Sequence, residues 1–229
     1  MKMMGQSVSR NGVLLALFAL ATALVISTTF LQTRDRIAQQ QRMAEEKALL
    51  EILPQKSHDN SLLDDTLSAP VGDALLQLTA PRPIYRARRD GEVTALIVPA
   101  RAADGYSGAI DMIVGVSRDG SIAGVRVLSH RETPGLGDKI ERRKSDWITD
   151  FRGHSLANTA APDWAVKKEG GVFDQFTGAT ITPRAVINAT RRALEFVAQN
   201  REGLFELPDA ETSRAAQVSA TNTTAGVAP

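Results

Sequence analysis

The strongest pattern in the chain is a run without charge. Residues 12–31 (GVLLALFALATALVISTTFL) hold no ionisable side chain, and as a helix they would rise about 30 Å, the thickness of a bilayer's hydrocarbon core. One transmembrane helix is therefore expected, after a short cytoplasmic N-terminus, residues 1–11. A cleaved signal peptide competes with this reading because Lys2 and Arg10 give a positive start, but the run is long and no A-x-A-like site follows it. Next, Arg34 to Leu53 is rich in good helix formers and stops at Pro54, which predicts a helical connector or stalk. Residues 32–83 comprise this connector and a loosely patterned N-terminal part of the region outside the membrane.

Alternation takes over further along. Glu92 to Pro99 reads as a buried strand, and Ile110, Met112, Val114 and Val116 line one face of a second, predicting a sheet with one covered face. Asp119-Gly120 predicts a two-residue type I′ hairpin, from which the chain returns through Ile122, Val125, Val127 and Leu128. Asp138 to Phe151 reads as a surface helix with Ile140, Trp147, Ile148 and Phe151 as its narrow apolar stripe, Trp147 belonging to the core rather than to a cofactor stack. Thr182 and Pro183 read as N-cap and first residue of a helix to Asn200, built on Val186, Ala189, Ala193, Leu194 and Val197. The fold class is α+β, an antiparallel sheet with flanking helices over residues 84–207, preceded by one N-terminal transmembrane helix. Residues 208–229 are small and polar and predict a disordered tail.

Composition removes several classes of function. With a net charge of +1 and charges dispersed along 229 residues, there is no one-signed surface for nucleic acid. The absence of cysteine excludes thiolate-bound zinc, iron–sulfur clusters, disulfides and cysteine nucleophiles, so redox chemistry requires another cofactor. His58, His130 and His154 have neither metal-ligand spacing nor a catalytic order, and no metal or catalytic residue is assigned. Orientation is nearly a tie: Lys2, Arg10 and the terminal amine stand before the apolar run, Arg34 and Arg36 after it with Asp35 between, a slight bias to an inside N-terminus.

One segment is chemically suggestive. Asp174-Gln175-Phe176-Thr177-Gly178-Ala179-Thr180-Ile181-Thr182-Pro183 places three hydroxyls and two tiny residues directly before a helix. Free amides and the positive dipole end favour an anion there, and small residues let the backbone approach it. It is not a P-loop, since the Gly-x-x-x-x-Gly-Lys arrangement is missing. On these residues alone, a plain Ser/Thr-rich capping loop is the other reading.

Asp174 to Thr180 also resembles the D-x-x-[ST]-G-A-[ST] attachment motif of FMN-binding domains. Asp104-Gly105-Tyr106-Ser107-Gly108 and His130-Arg131-Glu132-Thr133-Pro134-Gly135-Leu136-Gly137 are similar to further marks of that family. With the N-terminal anchor and Lys167-Lys168-Glu169-Gly170-Gly171, the chain resembles the singly anchored, FMN-bearing proteins of Rnf (Rsx) electron-transport complexes, and also the related C subunit of sodium-translocating NADH:quinone reductase.

The resemblance implies FMN, transferred from FAD by a flavin transferase to Thr180 as a phosphoester, with Thr177, Gly178 and Ala179 as motif residues. It implies that Glu132, Thr133, Leu136 and Gly137 lie against the flavin ring and that Tyr106 flanks the ring or packs beneath it; beside such a ring the positive charge of Lys167 or Lys168 would favour its anionic reduced or semiquinone form. The implied role is an electron carrier without independent activity, working with the other membrane and soluble Rnf subunits in redox-driven ion translocation. Its domain is expected in the periplasm, anchored in a bacterial inner membrane. A non-redox assembly module, and a free-standing flavin enzyme using Glu132 as acid or base, remain alternatives.

Overall fold

The computed structural model describes residues 2–206, with side chains from residue 10 onward; the expected tail at 208–229 lies outside the described residues. The chain divides into one unit ending at Lys47 and a second beginning at Ala48.

The first unit is formed by helix α1 (Lys2–Ile52), whose last turn belongs to the second. From Arg10 on it is long and apolar enough to cross a membrane, with mean hydropathy 2.3 in its most apolar window. Val13, Leu14, Phe18, Leu24, Ile26 and Phe30 are all exposed. The hydroxyls among them are satisfied within the helix: Thr22 donates to the Phe18 carbonyl at 2.8 Å, Thr28 to that of Leu24 at 2.7 Å and Thr29 to that of Val25 at 2.8 Å. Hydrocarbon offers no water to replace such bonds, so a lipid-facing helix must close them internally.

The second unit is built on a five-stranded antiparallel sheet in the order β1 (Thr66–Ser68), β2 (Pro83–Arg89), β3 (Glu92–Ala102), β4 (Ile110–Ser117) and β5 (Ile122–Ser129). Leu96, Val98, Ile110, Met112, Val114 and Val116 point to one face, where helix α2 (Ile181–Gln199) covers them with Val186, Ala189, Ala193, Leu194 and Val197. A short α3 (Arg201–Phe205) follows. The opposite face, with Tyr85, Ala95, Ile97 and Ile113, is covered by Leu49, Ile52, Leu53 and Leu62. The sheet is thus covered on both faces, not one. The second cover comes from the end of what reads as a polar stalk: a β-carbon on Gly115 would stand 2.2 Å from Cγ2 of Ile52, so the glycine lets that helix end rest on the strand.

Three local expectations change. The β4–β5 hairpin is present, but among its loop residues only Gly120 has positive φ (+86°), and its N–H donates to the Ser117 carbonyl at 2.9 Å. This is a three-residue loop with glycine in the left-handed position, not a type I′ turn. The two-residue turn with both residues at positive φ lies between β2 and β3, at Asp90 (+53°) and Gly91 (+82°). Asp138 to Phe151 is not an α-helix but two 3₁₀ turns, Gly137–Ile140 and Trp147–Thr149. Its apolar residues are too sparse to cover a face, and Ser145 and Asp146 draw Trp147 N–H and the Thr149 hydroxyl into local turn bonds at 3.2 and 2.5 Å. Helix α2 begins at Ile181 rather than after Thr182, so Pro183 sits in the first turn, where its missing N–H costs no helical bond.

Candidate functional site

Aromatic packing sets the suggestive loop in place from beneath. Phe173 stacks on Phe151 with centroids 4.5 Å apart, and Trp147 meets Phe176 edge-on at 5.0 Å. Trp147 is a buried core residue, as expected, and its indole N–H donates to the Asp174 carbonyl at 2.7 Å. Between these anchors and α2 the chain makes one tight turn, closed by Ala179 N–H donating to the Phe176 carbonyl at 3.2 Å. Gly178 occupies its third position with φ +82°, as a type II turn demands, so Thr177 and Gly178 are presented to solvent.

Thr180 is the N-cap residue of α2, half-buried, and its hydroxyl makes no capping hydrogen bond. The first turn of α2 carries no acidic residue of its own, and the carboxylate that reaches it comes from elsewhere in the chain. Two residues on, Thr182 is fully buried and its hydroxyl donates to Oε2 of Glu132.

Glu132 is the junction of the site. It is 4% exposed, and its Oε1 accepts the Ser107 N–H at 2.9 Å. One carboxylate thereby joins the Gly105–Gly108 segment, the 130–137 turn and the start of α2. Space around it is minimal: a β-carbon on Gly137 would lie 2.9 Å from Glu132 Oε2 and Thr182 Oγ1, and one on Gly105 would lie 3.0 Å from Glu132 Oε1. Glu132 N–H donates to Nδ1 of His130 at 3.0 Å, which assigns the ring proton to Nε2, facing Glu141 Oε1 at 2.8 Å. The Arg143 guanidinium, hydrogen-bonded to Glu141, holds that carboxyl below its ordinary range, with His130 adding in the same direction against a smaller opposing effect of burial.

Thr133 closes the neighbouring turn through its carbonyl, which accepts N–H from Leu136 at 3.1 Å and from Gly137 at 3.0 Å. That turn presents Leu136, 41% exposed, and a β-carbon on Gly178 would lie 3.3 Å from its Cδ2. The structure thus gathers Thr177 to Thr180 with Glu132, Thr133, Leu136 and Gly137. Lys167 stands at the loop's entry instead, its ammonium 2.7 Å from Asp174 and both side chains largely exposed. The sequence pattern gives Thr182 only a capping role and does not disclose the His130–Glu141 support; no local signal links residues 50 positions apart.

The comparisons with known proteins agree on one family. Residues 105–195 match the family described as FMN-binding domain, and residues 1–52 match the RnfG N-terminal region. The G subunit of the ion-translocating oxidoreductase complex of Pseudomonas aeruginosa PAO1 is 50% identical over 200 residues, 87% of this chain and 93% of the relative. The chain belongs to the family of G subunits of ion-translocating oxidoreductase complexes. The G subunits of Pseudoalteromonas atlantica and Vibrio vulnificus are each 44% identical over 202 residues, 88% of this chain and 94% and 95% of theirs.

It is accordingly a membrane-anchored FMN electron-carrier subunit of a complex that couples electron transfer to ion translocation. The site's residues fit that cofactor: the uncapped, half-buried Thr180 hydroxyl at the start of α2 suits a phosphate ester, while exposed Leu136, Ile181 and Tyr106 offer apolar surface to a flat ring. Bound FMN supplies reversible one-electron chemistry, for which this cysteine-free chain has no group of its own.

Proposed function

We propose that the FMN is held covalently, as a phosphoester on Thr180 placed there by a flavin transferase. The observation that carries this reading is the Thr180 hydroxyl, which starts α2 without capping it and lies two residues from the turn that presents Thr177 and Gly178. The Thr180 oxygen attacks the FMN phosphorus of FAD, the pyrophosphate P–O bond breaks, AMP leaves, and the hydroxyl proton passes to a base of the transferase. Thr177, Gly178 and Ala179 shape the presented loop, Leu136, Thr133 and Gly137 form the wall toward the ring, and Glu132 supports that wall from within. Lys167 holds Asp174 at the entry, where its positive charge favours a reduced, anionic ring.

On the same reading the domain lies on the periplasmic side of a bacterial inner membrane, where it meets the other subunits of the complex. The slight excess of positive charge before the apolar run supports it. Intact mass of the full chain, co-produced with its transferase, is expected to exceed the sequence mass by one FMN less one water, with a fluorescent band surviving denaturing electrophoresis and Thr180→Val dark. A dark wild type, or a labelled Thr180→Val, would overturn the attachment. Protease added to spheroplasts is expected to clip the domain; cleavage only after membrane rupture would reverse the orientation.

A further inference from the structure

Resting on attachment at Thr180, we propose that Glu132 and Thr182 form a positioning pair that turns the Thr180 hydroxyl outward for the transferase. Successive helical residues rotate by about 100°, so residues two apart point in nearly opposite directions. Thr182 is fully buried and bonded to Glu132, whereas Thr180, at the same helix start, is partly exposed and forgoes its cap. Holding Thr182 inward therefore holds Thr180 outward.

The holding point is stiff. Glu132 is fixed by Ser107 N–H on its other oxygen and by His130 at its own backbone, and Gly105 and Gly137 bring the chain so close that a β-carbon at either would stand 3.0 or 2.9 Å from its oxygens. A carboxylate acceptor makes the bond stronger than one between neutral groups, and burial keeps water from replacing it. Among the described residues this is the side-chain hydrogen bond that ties down the first two residues of α2, and without it the helix start frays as helix ends do. Thr182 lies two residues beyond the attachment motif and spends its hydroxyl on Glu132; its effect is exerted through the direction of Thr180.

The test follows attachment by in-gel fluorescence, using purified full-length protein, FAD and the flavin transferase, with acceptor concentration varied to obtain kcat/KM. Thr182→Val keeps the shape and removes the hydroxyl; Thr182→Ser keeps the hydroxyl. The valine variant is expected to lose about tenfold or more in kcat/KM, the scale of one charge-assisted hydrogen bond, and the serine variant to stay near wild type. Val114→Ala, in the sheet core, supplies a general loss of stability and is expected to label like wild type. Equal kcat/KM for valine variant and wild type would overturn the pair, as would a serine variant as slow as the valine one, or an equal slowing by Val114→Ala. Thr180→Val keeps the two ideas apart: if it still accepts FMN the attachment reading fails, and if it is dark while Thr182→Val labels normally only the positioning pair fails.

Discussion

The two ends of the attachment loop are secured in opposite ways. At the entry, Lys167 and Asp174 form an ion pair at 2.7 Å with side chains 60% and 59% exposed, over a backbone held by the Trp147 indole. At the exit, Thr182 and Glu132 meet with both residues buried. An exposed pair gains little because water competes for both charges and two long side chains must be ordered. A buried carboxylate with every oxygen engaged is costly to disturb, because each stranded partner keeps its full desolvation penalty. The loop should therefore yield at its entry long before its exit, leaving the residues nearest Thr180 the most firmly held.

The largest expected effect comes from breaking the exit. Glu132→Ala takes the acceptor from the fully buried Thr182 hydroxyl, at about 1–3 kcal/mol, and from the N–H of the exposed Ser107, at about 1 kcal/mol, so a loss of about 2–4 kcal/mol is expected. Both tryptophans, Trp147 and Trp164, are buried in the second unit, so tryptophan fluorescence of the full chain in urea reports on that unit alone. An unchanged midpoint would show that the buried junction carries no load.

Trp147→Phe should cost less. It keeps an aromatic ring against Phe151 and Phe176 and removes the indole donor to the Asp174 carbonyl, a loss of about 1 kcal/mol. Trp164 remains as the probe. A loss as large as that of Glu132→Ala would mean that the entry is held as firmly as the exit.

How much of this is legible in the sequence follows from the range of each interaction. Asp174 to Thr180 can be read because its signal is local, a string of small and hydroxyl residues next to a helical pattern. The Thr182–Glu132 bond cannot, because it spans 50 residues and Thr182 before Pro183 has the form of an ordinary N-cap. The covered second face of the sheet is hidden similarly, since Leu49, Ile52 and Leu53 follow a charged stretch and make sense only beside Gly115. Asp119-Gly120 and Asp90-Gly91 carry the same dipeptide signal, yet strand register decides which becomes the two-residue turn. Asp138 to Phe151 suggests a helix because its four large apolar residues fit a helical period, although side-chain bonds at Ser145 and Asp146 divide it into turns.

Lys167→Met sharpens the comparison from the weak side. With both partners largely exposed, the ion pair contributes about 0–1 kcal/mol, and added salt should reduce even that. The urea midpoint is expected to stay within error of wild type at moderate salt. A shift rivalling that of Trp147→Phe would place the entry's strength in its surface charges rather than its backbone.

The smallest effect is one of pH, and it acts only on the exit. The Arg143 guanidinium holds the Glu141 carboxyl below its ordinary value of 4.5, and Glu141 in turn supports His130, which accepts the backbone N–H of Glu132. A carboxyl with a lowered folded-state value binds its proton more weakly folded than unfolded, so its contribution is complete above the unfolded value and disappears as pH falls through the folded one. Arg143→Gln removes the principal cause of the lowering. The stability gap between wild type and Arg143→Gln should therefore be constant well above the ordinary value of 4.5 and close as pH falls below it, measured by urea midpoints at each pH. Wild-type and variant curves that stay parallel over that range would show that Arg143 does not lower the Glu141 carboxyl and adds nothing to the support that Glu141 gives His130.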